Sequence, residues 1–476
     1  MLNDYFIRKL ADNLPYTPTE EQAELIAHLS TFLWDDNVPS VFLLRGYAGT
    51  GKTSLIGALV RTLESLERPC VLLAPTGRAA KVFASYSGHA AYTIHKKIYR
   101  QRTFTGDFSG FQLAHNSHKN TLFIVDEASM IANGSTDAVT YGSGLLLDDL
   151  FEFVYSGSGC RLILLGDTAQ LPPVGQAQSP ALDENYVRRY GYPVYGYELT
   201  HVVRQAEESG VLYNATRLRT CMQQAPLPVP KIQLGDFADV RRVRGDELIE
   251  MLSSDYRRDG MDNTVIVTRS NKRANIFNQG VRNRILYREE ELTAGDLLLV
   301  ARNNYYWCEK YENLDFIANG DVARVVKVRG TSEMYGFRFA DVALYFPDYE
   351  VELEAKVILD TLQSESPALS AAENNKLFMA VMEDYADIRS KRERMKRLKQ
   401  DVWFNALQVK YAYAVTCHKA QGGQWQNVYV DMGYIHPDAL GLDFYRWLYT
   451  AFTRTTGRLS LINVSQDYLE DQLPDF

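Results

Sequence analysis

Short, unbroken apolar runs punctuate this chain, and most of them end in a glycine, a hydroxyl or a carboxylate. Val41-Phe42-Leu43-Leu44, Leu122-Phe123-Ile124-Val125, Arg161 to Leu165, Thr264 to Thr268 and Val428-Tyr429-Val430 are of this kind, and Leu459 to Val464, broken by Ser460 and Asn463, adds a further strand. Runs without polar alternation predict strands covered on both faces, the signature of parallel sheets between helices. Helical patterns follow two of them, over Ser54 to Glu67 and Asn271 to Arg284. Upstream, Thr17-Pro18-Thr19-Glu20 predicts a helix start, with Thr17 as cap, Pro18 at the first position and Glu20 closing a capping box. Gln22 then falls in the first turns of an amphipathic helix carrying Ala23, Ile26, Leu29 and Leu33, and reads as a solvent-facing glutamine.

The pattern changes in two places. Arg100 to His115 alternates around Thr105-Gly106-Asp107, which predicts a hairpin. Asn319-Gly320-Asp321 is a turn signal before a strand-like run through Val322, Val325, Val326 and Val328. Tyr349 to Val357 alternates as another strand, and Ala368 to Gln400, after Pro367, reads as helical. The result is an α/β protein with two parallel-sheet lobes, the second assembled from two separated segments around a β-rich insertion.

Composition narrows the class. At 476 residues, with 46% hydrophobic and 23% charged, the chain is expected to form several ordinary globular domains. No apolar run approaches a membrane span, and Met1 to Leu10 shows no secretory signal. The scattered cysteines (Cys70, Cys160, Cys221, Cys308, Cys417) predict neither a disulfide framework nor a zinc site, so a reducing, cytoplasmic or nucleoid-associated setting is expected. A net charge of −8 requires any polyanion site to be a local groove. Arg389 to Lys399 holds seven basic residues against Glu393 alone, a pattern shared by plain solvated helix faces and DNA contacts. Pro347-Asp348 with Glu354-Ala355-Lys356 superficially matches a nuclease metal site. The spacing instead predicts one strand, with Asp348, Glu350, Glu352 and Glu354 solvated along one face.

The chemistry starts at Gly46-Tyr47-Ala48-Gly49-Thr50-Gly51-Lys52-Thr53, a complete P-loop between a strand and a helix. Gly49, Thr50 and Gly51 let backbone N–H groups wrap a phosphate at a helix N-terminus. Lys52 is expected at the β- and γ-phosphates of ATP, and Thr53 at Mg²⁺. Asp126 and Glu127, ending an apolar strand, supply a Mg²⁺-side acid and a base that orients water. Gln170, after the strand ending at Gly166-Asp167, is placed to sense the γ-phosphate.

The order of motifs then becomes specific. Leu73-Ala74-Pro75-Thr76-Gly77-Arg78-Ala79-Ala80, Tyr92-Thr93-Ile94-His95, Val125 to Met130, Leu165 to Pro173, and Glu198-Leu199-Thr200 through Arg204-Gln205 follow the P-loop. Val415 to Gly422 and Leu448 to Arg454 close the series. This succession resembles the superfamily 1 DNA helicases of the RecD/Dda group, which move 5′→3′. The resemblance implies two RecA-like domains, at 1–197 and at 198–295 with 408–476. It also implies a pin-like hairpin at 97–118 and an SH3-like β-barrel with a helical extension at 296–407. Gln22 would read adenine, Gln170 would link γ-phosphate to DNA, and Arg204 and Arg454 would be arginine fingers, each typically worth about 10³–10⁵ in turnover. Pro75, Thr76, Thr93, His95, Thr416, His418 and Lys419 would hold single-stranded DNA, and Phe104, Phe108 or Phe111 would tip the pin. The implied activity is ATP- and Mg²⁺-dependent translocation on single strands and opening of single-strand/duplex junctions, in recombination or repair. The alternatives are a motor subunit working with a protein partner in a larger recombination or nuclease complex, and a nucleotide-dependent switch without unwinding. Gly423-Gln424-Trp425 departs from the acidic or small residue common after this motif, leaving open whether Trp425 stacks a base or packs.

Overall fold

The computed structural model describes all residues except 1, 36–38, 102–110, 135–141, 204–207, 236, 309–310, 312–313, 315, 437–439 and 471–476. The N-terminal part carries strands β1 (Val41–Gly46), β2 (Cys70–Ala74), β3 (Ala91–Thr93), β4 (Tyr99–Gln101), β5 (Phe111–Leu113), β6 (Leu122–Val125), β7 (Arg161–Gly166) and β8 (Val194–Leu199). Its helices are α1 (Leu2–Asp12), α2 (Glu20–Trp34), α3 (Lys52–Ser65), α4 (Gly77–Ser87), α5 (Ile94–Ile98), α6 (Leu146–Ser156) and α7 (Glu184–Val187). Six strands form one parallel sheet in the order β3-β2-β6-β7-β1-β8.

Strand periodicity explains why the apolar runs show no alternation. Phe42 and Leu44 pack on one face with Leu25, Leu55 and Leu59, while Val41 and Leu43 pack on the other with Ile94, Leu147 and Phe151. Each of the four β1 residues is fully buried, worth about 1.5–3 kcal/mol apiece. β4 and β5 pair antiparallel as the stem of the expected hairpin. The tip positions Phe104 and Phe108 lie outside the described residues.

The second lobe contains α8 (Gly210–Met222), β9 (Val240–Val243), α9 (Leu248–Asp259), β10 (Thr264–Thr268) and α10 (Asn271–Arg284). The chain then leaves to form a closed barrel of β11 (Leu297–Val300), β12 (Val322–Met334), β13 (Phe337–Phe346), β14 (Val351–Ile358) and β15 (Leu407–Tyr411). Helices α11 (Ala371–Glu383) and α12 (Lys391–Lys399) are inserted between β14 and β15. The lobe is completed by β16 (Ala414–Thr416), α13 (Cys417–Ala420), β17 (Trp425–Asp431), α14 (Leu442–Phe452) and β18 (Thr455–Ile462). Its parallel sheet runs β16-β10-β17-β18-β9, interleaving both segments as expected.

Two local expectations are corrected. Helix α2 begins at Glu20 with Thr19 as its cap, and Gln22, not Glu20, closes the capping box. Pro18 therefore precedes the helix instead of opening it. β14 begins only at Val351, because Glu350 sits in the left-handed region at φ 55° within a turn. Asp348 is consequently not on the strand face with Glu352 and Glu354; it pairs with Lys81 of α4 at 3.1 Å. Lys356, the lysine of the nuclease-like pattern, pairs with Asp341 at 2.7 Å.

A buried charge cluster joins barrel to lobe. Asp296, fully buried, accepts from Arg282 at 3.0 and 3.1 Å, from Thr293 N at 2.8 Å and from the Tyr413 hydroxyl at 2.9 Å. Burial alone pushes its carboxyl up, but bonds from Arg282, Thr293 and Arg288 outweigh it and hold it below the usual range. Its stabilising contribution is thus present above the unfolded-state pKa and lost as pH falls through the lowered one. Asp296→Asn strands Arg282, itself 2% exposed, and is expected to cost about 3–5 kcal/mol, seen as a lower urea midpoint near neutral pH.

Candidate active site

The carboxyl ends of β1, β6 and β7 converge on one cleft, because loops following parallel strands gather at that edge. β1 leads into the P-loop, where Gly49 and Gly51 hold φ of 79° and 84°, values that a side chain would strain. Gly51 has a second reason to be glycine: a Cβ there would lie 2.5 Å from Gln22 Nε2. Gln22 is not solvent-facing but 1% exposed, and it donates to the Thr50 carbonyl at 3.0 Å. Capping the helix with one end and bracing the P-loop with the other accounts for its burial. Thr50, also buried, donates its hydroxyl to Tyr47 O at 2.8 Å.

Lys52 folds back on its own loop, donating to the carbonyls of Gly46 and of Tyr47, the latter at 2.9 Å. Burial lowers its pKa, against the charges of Asp167, Asp126 and Glu127. Asp126 accepts from the Tyr86 hydroxyl and from Glu127 N. Burial and the neighbouring Glu127 raise its pKa to about 6, while Tyr86, the Glu127 N–H and Lys52 pull the other way. Glu127 itself holds a left-handed φ of 52°. Such strain in a non-glycine residue is characteristic of functional positions.

The second lobe supplies the opposite wall. Arg454, 3% exposed, reaches Glu127 at 3.6 Å and is anchored by donating to Thr450 O at 3.1 Å. Arg204 lies outside the described residues. Gln170 lines the same cleft at 7% exposed, and its Oε1 has no hydrogen-bond partner among the described residues. The cleft measures about 720 Å³, within the usual range for small-molecule sites. Thr53 lies on its wall beside Lys52 and Asp126. Backbone donors, a lysine, an arginine, carboxylates for a divalent ion and an orphaned amide oxygen together fit a nucleoside triphosphate with Mg²⁺.

Three residues escaped the sequence reading. The Tyr449 hydroxyl donates to Asp167 at 2.6 Å and accepts from the P-loop amide of Ala48 at 2.9 Å, so a second-lobe side chain fastens two elements of the first. Thr450 accepts from Leu171 N at 2.8 Å across the same seam. Both lie within the Leu448–Arg454 motif, where only the arginine carried an obvious charge signal. Tyr86, the partner of Asp126, had none, being one aromatic on an amphipathic helix.

The expected strand contacts lie outside the lining of this cleft. Thr76 and Thr93 cap α4 and α5, each hydroxyl accepting a backbone N–H at 3.2 Å. Pro75 is the half-buried residue before that first cap. His95 packs against Tyr99 and Phe316, and burial pushes it down to about 4, so it is neutral at neutral pH. Thr416, half-buried, precedes α13; His418 is exposed; Lys419 donates to the Asn319 side chain. Lys419 and Gly77, the residue after Thr76, thereby approach the same turn at the barrel, for a Cβ on Gly77 would fall 2.8 Å from Asp321. Phe111, in the hairpin stem, packs against Tyr305 with centroids 4.5 Å apart and the rings tilted by 48°. All five cysteines are free, and among the described residues no cluster has metal-ligand composition. No described helix is long and apolar enough to cross a membrane.

Comparison with known proteins agrees with this division of labour. The AAA domain model matches residues 18–225, and the UvrD-like helicase C-terminal domain model matches 411–462. The ATP-dependent RecD2 DNA helicase of Deinococcus radiodurans is 25% identical over 92% of this chain and 48% of its own length. The ATP-dependent DNA helicase dda of Enterobacteria phage T4 is 23% identical over 61% of this chain and 63% of its own. This chain therefore spans about half of RecD2 and under two thirds of dda. A crystal structure of Pif1 helicase from Bacteroides with ADP-AlF3 and ssDNA aligns with 96% of this chain and 94% of its own, at 15% identity and a TM-score of 0.46. With both family models in sequence, the motifs in order and a cleft walled by both lobes, the chain pairs an AAA domain with a UvrD-like helicase C-terminal domain and is similar to the DNA helicases RecD2 and dda.

Proposed function

We propose that this protein is an ATP-driven DNA helicase that moves 5′→3′ along a single strand and opens duplex junctions. The observation that carries the proposal is Arg454, buried on the second lobe and facing Glu127 of the first across the P-loop cleft. A binding switch has no need of a second-lobe cation at the catalytic carboxylate. A motor does, because the cation makes turnover depend on how the lobes are arranged.

In this reading Mg²⁺–ATP supplies the phosphoanhydride whose cleavage drives the cycle. Lys52 would leave the Gly46 and Tyr47 carbonyls for the phosphates, Thr53 and Asp126 would hold the metal, and Gln22 would recognise adenine. Glu127 orients and deprotonates the attacking water; Arg454, and Arg204 with it, stabilises charge developing on the transferred phosphoryl group. Gln170 relays phosphate occupancy toward the strand. Pro75, Thr76, Thr93, His95, Thr416, His418 and Lys419 form the groove, binding backbone phosphates and stacking surfaces in preference to base edges. The hairpin carrying Phe104 and Phe108 meets the junction. The 5′→3′ direction rests on the motif resemblance to the RecD/Dda group, and the DNA substrate on the likeness to the ATP-dependent DNA helicases RecD2 and dda.

The test is unwinding of 5′-tailed against 3′-tailed duplexes, in DNA and RNA. The 5′-tailed DNA is expected to be opened with ATP and the other three to be poor substrates. Glu127→Gln is expected to keep nucleotide binding and lose about 10²–10⁴ in turnover. ATPase indifferent to single strands would leave only the switch. Tyr449→Phe removes the hydroxyl shared by Asp167 and Ala48, and is expected to raise KM for ATP roughly tenfold with thermal stability little changed.

A further inference from the structure

The two lobes also meet on the strand side of the cleft, at a contact that settles what Trp425 packs against. The Arg78 guanidinium, on the first turn of α4, lies 3.9 Å from the centroid of the Trp425 ring, at the start of β17. It also donates to the Gln424 carbonyl at 3.2 Å. Trp425 is 8% exposed, so it offers no open face for a base.

The surrounding backbone is shaped around this stack. A Cβ on Gly423 would fall 2.5 Å from Trp425 Cη2 and 2.9 Å from Arg78 Nε. A Cβ on Gly422, whose φ is 72°, would fall 2.9 Å from Ala79 Cβ and 3.2 Å from Thr76 Oγ1. Loop 422–424 therefore lies against the start of α4 at a distance only glycines permit. Asp348, the nearest carboxylate on the barrel, is occupied by Lys81.

The position of the stack matters more than its strength. Gly422, Gln424 and Ala79 line the nucleotide cleft together with Arg454 and Gln170. Thr76, two residues before Arg78, and Lys419, three before Gly422, belong to the proposed groove. A guanidinium on a flat ring can slide without losing contact, whereas its bond to one carbonyl fixes a register.

We propose that the Arg78–Trp425 stack is the coupling contact between the two sites, positioning loop 422–424 so that nucleotide state and strand grip depend on each other. Arg78 and Trp425 are positioning residues in this scheme and touch neither ligand. The inference rests on the motor reading above, and it makes a thermodynamic claim, since coupling between two ligands is reciprocal.

The experiment measures affinity for a fluorescent oligo-dT in the full-length protein, with and without a non-hydrolysable ATP analogue and Mg²⁺. Basal and strand-stimulated ATPase are measured alongside, for wild type, Arg78→Lys, Arg78→Ala and Gly423→Ala. In wild type the analogue is expected to change strand affinity by a factor of about 5–150. In all three variants that factor is expected to collapse toward one and stimulated turnover to fall about tenfold, with basal turnover retained in all and melting temperature retained in the two Arg78 variants. Arg78→Lys keeps the charge and tests the planar stack; Gly423→Ala crowds ring and guanidinium while leaving the charge in place. If strand affinity falls equally in both nucleotide states, Arg78 is a plain strand contact and the proposal is overturned. It is also overturned if the wild-type factor persists in the variants. A wild-type protein with no strand stimulation at all would sink the motor reading itself, and the coupling with it.

Discussion

Three carboxylates and a lysine from one lobe, with an arginine from the other, are gathered at a single edge of the first sheet, Asp167 and Arg454 buried and Lys52, Asp126 and Glu127 half-buried. Ions removed from water cost several kcal/mol each unless their charges and lone pairs are met. Here they are met mutually: Lys52 opposes Asp126, Asp167 and Glu127, Arg454 faces Glu127, and tyrosine hydroxyls donate to Asp126 and Asp167. Such a cluster is a receptor for a ligand that brings both negative phosphates and a divalent cation. Either alone would unbalance it, and the two together re-pair every member. The P-loop glycines, the strained Glu127 backbone and the buried Gln22 all serve to hold this arrangement in place.

The seam between lobes combines an apolar patch, where Ala169 and Leu171 join the core of the second lobe, with single polar contacts. Tyr449 ties Asp167 to Ala48, Thr450 receives Leu171 N, Gln421 donates to Leu171 O at 2.7 Å, and Arg78 lies on Trp425. Each contact is a single hydrogen bond or stack, worth of order 1 kcal/mol, so the lobes can change their relation at a cost that ligand binding can supply. The Asp296 cluster is the opposite case. It roots the barrel in α10 through several buried bonds, so barrel and second lobe behave as one body. Motion is thereby concentrated where the nucleotide and the strand both sit.

Much of this could be read directly from residue order. β10 and α10 fall where the pattern placed them, because a run of apolar β-branched residues followed by a serine cap leaves little local choice. The P-loop, Asp126, Glu127 and the arginine at 454 were visible as motifs because their chemistry demands particular residues at short spacing. The helix start at Thr19 was misjudged by two residues: both threonines offer a hydroxyl, and only the Gln22 side chain reaching back decides between them. The strand through Glu350 failed for a related reason, since a left-handed residue inside an alternating stretch leaves no mark on the alternation.

Local pattern, then, dictated which segments become strands and helices and which backbone can cradle a phosphate, since those depend on neighbours a few positions apart. Only the folded chain decided which of the many polar side chains matter. Tyr86, Tyr449 and Trp425 are ordinary aromatics until Asp126, Asp167 and Arg78 arrive beside them from distant parts of the chain. Burial and charge pairing are properties of that assembly, and no linear spacing encodes them.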